Sequence, residues 1–116
     1  MQYSILETNE AVKDVIGFAE YMIKEFKNQK AAVDFVNAYD EIVKNLSVFP
    51  KGYRGVSIEY RGYEIKIKPF GTYNLFFVIQ ELQKDIVILR VLKDRQDWNY
   101  ILRHHKQYHF DIKPNR

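Results

Sequence analysis

The apolar period of this chain changes at Pro50, and that change limits what it can fold into. Before Pro50, apolar residues recur every three or four positions, the spacing of one helix face. After it they alternate or run together, as in strands. Val12, Val15, Ile16, Ala19, Met22, Ile23 and Phe26 predict a first amphipathic helix of about five turns. Thr8 or Asn9 can cap it, and Glu10 and Asp14 complement its dipole. Gly17 interrupts it at a cost of about 1 kcal/mol, which predicts a close contact at that point. Ala32, Phe35, Val36, Tyr39, Ile42, Val43, Leu46 and Phe49 form a second apolar face that Pro50 stops. The break between them is only Lys27-Asn28-Gln29, with Asn28 a cap for the second helix, so the two must run antiparallel as a hairpin. Ahead of both, Tyr3-Ser4-Ile5-Leu6 suits a short strand.

Beyond Pro50, Lys51 to Gly55 reads as a loop, Val56 to Tyr60 as a strand and Arg61-Gly62 as a tight turn. Tyr63, Ile65 and Ile67 alternate with Glu64, Lys66 and Lys68, so one face of that strand is in the core and the other is wet. Pro69 and Gly71 end it. Tyr73 to Ile79 is nearly all apolar, with Asn74 the exception, and Ile86 to Leu92 is a second buried strand. Asp97 can cap a short last helix carrying Trp98, Ile101 and Leu102. The expected fold is α+β: an N-terminal strand, a two-helix antiparallel hairpin on a small, mostly antiparallel sheet, and a short C-terminal helix. Residues 1–103 read as one domain and 104–116 as a polar tail.

The chain has 116 residues, 47% of them hydrophobic, enough for one domain with a real core. There is no cysteine, which excludes a disulfide framework, a thiolate metal site and a cysteine nucleophile. The start lacks the pattern of a signal peptide, and no apolar run approaches the ~20 residues that span a bilayer, so a cytoplasmic protein without membrane contact is expected. The net charge of +3 is unevenly spread. Residues 1–50 carry five Lys and eight Asp/Glu, whereas residues 51–106 carry eleven Lys/Arg and six Asp/Glu. A basic second half suits an anionic partner, and it also suits an ordinary solvated surface.

No phosphate loop, His-Glu-x-x-His or other metal or nucleotide motif is present, and no cofactor or metal is expected. His105 and His109 share helical spacing, and His104 adjoins them, but no third ligand is evident. Lys66 and Lys68 lie about 7 Å apart on the wet face of one strand, where they can meet successive phosphates or serve as plain surface lysines. Arg90 stands inside the run Ile86 to Leu92, where a charge needs a partner. A helix carboxylate is its expected partner, and a ligand is the alternative. Arg95 lies just beyond the strand end, and Trp98 reads as a packing anchor before a stacking platform.

This ordered set resembles the RelE/ParE superfamily of bacterial toxins over about residues 2–103. The matching residues are Tyr3-Ser4-Ile5 with Thr8 and Ala11, Phe35 through Leu46-Ser47-Val48-Phe49-Pro50, Tyr63 through Lys68, Tyr73 through Ile79, and Ile88 through Trp98. The resemblance implies the toxin of a type II toxin–antitoxin (plasmid stabilisation) pair, a growth inhibitor neutralised by a cognate antitoxin. It also implies two branches. RelE-like toxins cut messenger RNA in the ribosomal A site with a cluster of Lys and Arg and a Tyr, or His/Glu in relatives. On that branch Lys66 matches a catalytic lysine, Arg95 the arginine after the last strand, Glu64 stands where another lysine is usual, and Ile101 falls near the tyrosine position, with Tyr100 one residue away. Asn74 stands where a phosphate-binding arginine is expected. ParE-like toxins instead bind DNA gyrase and trap it on cleaved DNA, which needs a fitting surface and no catalytic set. The ending from Ile88 to Asp97 resembles that branch, so the reading leans to gyrase. A ribosome-dependent ribonuclease and a degenerate protein that only binds antitoxin remain as alternatives. Lys68, Arg54, Arg61, Arg90 and Trp98 complete the expected anion- or partner-binding set.

Overall fold

The computed structural model describes residues 2–104. The chain runs β1 (Ser4–Glu7), α1 (Asn9–Phe26), α2 (Gln29–Val48), β2 (Gly55–Tyr60), β3 (Tyr63–Phe70), β4 (Tyr73–Gln80), β5 (Asp85–Lys93) and α3 (Trp98–His104). One five-stranded sheet has the order β1-β5-β4-β3-β2. Only β1 runs parallel to its neighbour, β5, and the other pairings are antiparallel. This is the α+β architecture expected from the sequence.

Local chemistry sets each joint. Thr8 caps α1 by accepting the Ala11 amide, and its hydroxyl donates to the Leu89 carbonyl, 2.8 Å away, so one buried side chain fixes the helix start to β5. Lys27, in the left-handed region, closes α1, and the Asn28 side chain accepts the Ala31 amide to start α2. Pro69 does not end its strand as expected. β3 continues to Phe70, and Pro69 faces Asn74 in register.

The sheet is buried on both sides at its centre. One core lies under the hairpin, where Val15, Phe35, Tyr39, Val43 and Leu46 meet Ile5, Leu75, Phe77, Ile86, Ile88 and Val91. The second lies on the opposite face, where Val56, Ile58, Ile65, Ile67, Phe76, Val78, Val87 and Leu89 are closed over by Leu102 of α3 and half-buried Trp98. The near-continuous apolar runs of β4 and β5 follow from this two-sided burial.

A register shift between Phe76 and Phe77 bulges β5 around Leu89 and Arg90. Asp14 of α1 fits this bulge. Its carboxylate accepts Arg90 Nε at 2.8 Å, Arg90 Nη2 at 2.9 Å and the Val91 amide at 2.9 Å. The bidentate pair leaves both side chains about one-seventh exposed, at 14% and 13%. Asp14→Ala removes the bidentate acceptor of the Arg90 guanidinium and the acceptor of a backbone amide, so it is expected to destabilise the fold by about 3 kcal/mol, read by urea unfolding.

Gly17 departs from expectation. A Cβ added there would meet nothing within 4 Å, so no close packing explains the glycine. Gly17→Ala is therefore expected to raise the urea midpoint at unchanged m, by about 1 kcal/mol of helix propensity.

The turn from β4 to β5 is tied to the first strand. Glu81 accepts from Lys84 Nζ at 2.8 Å and from the Tyr3 hydroxyl at 2.7 Å. These two donors, Lys84 foremost, hold its carboxyl down at about 2. The contribution of a depressed carboxyl is full above its ordinary value of 4.5 and is lost as pH falls towards 2. Glu81→Gln should flatten the fall in stability across that window, measured by urea unfolding at stepped pH.

Candidate functional site

Lys66 pairs with Phe77 in register and Lys68 with Leu75, so both lysines project on the hairpin side of the sheet. Each is half-buried on β3, just beyond the strands that the hairpin covers. Glu64 projects on the same side, with an oxygen 3.6 Å from Lys66 Nζ. Gly55 makes room for it: a Cβ at that position would stand 2.0 Å from the Glu64 carboxylate. Arg54 joins this strip by position, since its carbonyl accepts the Ile67 amide. Lys68 Nζ lies 5.5 Å from the ring centre of Tyr53, which itself packs edge-on to Phe77. Arg54, Glu64, Lys66 and Lys68 are thus brought together.

The other expected residues are not. Arg95 lies in the turn after β5, at the β3–β4 turn, where the Asp94 amide donates to the Thr72 carbonyl. That end of β3 is four residues from Lys66, roughly 13 Å along the strand. Tyr100 sits on α3, whose buried side belongs to the opposite face of the sheet from Lys66. It is 57% exposed and stacks on His104 with ring centres 4.0 Å apart. Arg61 is in the β2–β3 turn, its guanidinium 5.2 Å from the Tyr60 ring centre. Arg90 is engaged by Asp14, the helix carboxylate that the sequence asked for without naming. Trp98 packs on Phe76 at 5.6 Å, as an anchor. Asn74 is buried and donates to Asp94 Oδ1 at 2.8 Å, so its amide braces the turn after β5. His105 and His109 lie outside the described residues.

A groove that sequence reasoning missed lies on the other side of the hairpin. It has a volume of about 410 Å³ and is lined by Lys13, Asp14, Gly17, Phe18, Tyr21, Lys93 and Gln96. Its signal was present: Lys13, Gly17 and Tyr21 recur at four-residue spacing, a stripe beside the core stripe of α1. Lys93 Nζ stands 5.7 Å from the Tyr21 ring centre and 6.0 Å from that of Tyr73. Gln96 fixes the approach by accepting the Lys93 amide at 2.7 Å.

A leading strand, a helical hairpin, a mostly antiparallel sheet and a short closing helix make up the α+β architecture that the RelE/ParE resemblance implies. The chain belongs to the family of ParE toxins of type II toxin–antitoxin systems (parDE), whose model matches residues 5–98. Its fold is similar to that in the toxin–antitoxin complex RelBE2 from Mycobacterium tuberculosis. The TM-score is 0.57 at 23% identity, covering 80% of this chain and 99% of that one. No curated protein matches. Among the described residues no helix is long and apolar enough to cross a membrane.

Proposed function

We propose that this toxin arrests growth by binding DNA gyrase and trapping it on cleaved DNA, and that a cognate antitoxin neutralises it. The separation of the would-be catalytic residues carries this reading. A ribonuclease of the superfamily needs cations, an acid–base group and a tyrosine around one phosphate. Here Lys66 faces Glu64 on β3, Arg95 stands at the far end of that strand, and Tyr100 is on a helix of the opposite face. At the position expected for a phosphate-binding arginine, Asn74 is spent on Asp94. A toxin that acts by surface fit asks for none of this convergence. The RelBE2 complex pairs a similar fold with an antitoxin, which supports the same kind of partner here.

The test is induced expression of the chain alone, with growth, an SOS reporter and messenger integrity followed together. The expected result is arrest with SOS induction, intact messages, and unchanged arrest by Lys66→Ala. Rapidly cut messages without SOS, abolished by Lys66→Ala, would replace this reading with the ribonuclease one.

A further inference from the structure

Gly17 costs α1 stability and serves no contact inside the chain. What it does provide is an open floor for the groove between α1 and the end of β5. A second hollow, of similar volume and lined by Thr72, Lys93, Asp94 and Arg95, continues that groove across Lys93.

The charge of this groove is unbalanced. Asp14 lines it, but its carboxylate is committed to Arg90 and the Val91 amide. Among the described residues Lys13, Lys93 and Arg95 make no ion pair. Asp94 is the one opposing carboxylate in the lining not held by a cation, and its Oδ1 accepts from neutral Asn74. Lys13 and Lys93 therefore rim a hollow whose floor is a glycine and the rings of Phe18 and Tyr21, and Arg95 lines its continuation.

We propose that this groove seats an acidic segment of the antitoxin, with an apolar side chain over Gly17 and carboxylates at Lys13, Lys93 and Arg95. This rests on the reading that the chain has an antitoxin partner, and it names where that partner docks. A nucleic-acid strand needs an open basic track for successive phosphates. A ring-floored hollow the size of a side chain or two, with a carboxylate on its rim, suits a peptide anchor instead. The missing Cβ at Gly17 lets that anchor approach the helix backbone.

The first arm of the test is an amide NMR titration of the full chain with a blocked acidic peptide carrying a central Leu-Phe pair. Shifts are expected at Gly17, Tyr21, Lys93 and Gln96. Binding should weaken at least about tenfold, or 1.4 kcal/mol, in Gly17→Trp and in Lys93→Glu, weaken less in Gly17→Ala, and stay unchanged in Lys66→Glu. A Cβ at Gly17 meets nothing within 4 Å, so the melting temperature of Gly17→Trp should stay near wild type. Shifts confined to β3, no shifts, or undiminished binding by Gly17→Trp would overturn the proposal. So would a single-stranded oligonucleotide that occupies the same residues more tightly than the peptide.

The second arm is growth with the antitoxin co-expressed. Gly17→Trp should still arrest growth and escape neutralisation, whereas wild type is rescued. Full rescue of Gly17→Trp overturns the docking site, and loss of arrest by Gly17→Trp assigns the groove to the target and overturns it too. Failure of wild type to arrest growth would instead sink the toxin reading, while the peptide titration still decides the groove.

Discussion

The carboxylate of Asp14 determines how this molecule is assembled. The hydrophobic effect that joins the two layers, a hairpin and a sheet, is non-directional and does not by itself fix their relative position. Asp14 supplies the direction, because one carboxylate accepts from both the guanidinium of Arg90 and the amide of Val91. The bulge in β5 turns Arg90 towards α1, and without it an arginine inside an apolar strand would have no outlet. Thr8 adds a second fixed point one strand-end away, through Leu89. Helix position, strand irregularity and charge burial are therefore one arrangement. The core residues fill the space around it.

Much of this was legible in the residues. The period change at Pro50 separates hairpin from sheet, and Thr8, Asn28 and Asp97 all cap the helices that their positions suggest. Arg90 announced a buried partner by its surroundings, although spacing along one chain does not say which of eight acidic residues before Pro50 it meets. The second core was less visible. Alternation on β3 shows that one face is buried, but not that the buried face is the one away from the hairpin. That depends on sheet order, which a parallel pairing between the first and last strands decides.

The candidate site was harder, for a related reason. Residues that match a family pattern by position share a site only if curvature and register bring them together. Lys66 and Glu64 are two apart on one strand and meet. Arg95 and Tyr100 follow the end of β5, where a turn braced by Asn74 and Gln96 carries the chain to the other face. Gly17 shows the opposite case. Its oddity was visible, but the sequence suggested a neighbour where there is open space.

The pairing of β1 with β5 also bears on synthesis. Thr8 waits for Leu89, 81 residues later, before its hydroxyl finds an acceptor. Translation at roughly 5–20 residues per second leaves the hairpin without most of its sheet for several seconds. A nascent chain cannot close this domain until nearly all of it has left the ribosome. Through that interval the apolar faces of α1 and α2 stand without the strands that cover them in the finished fold.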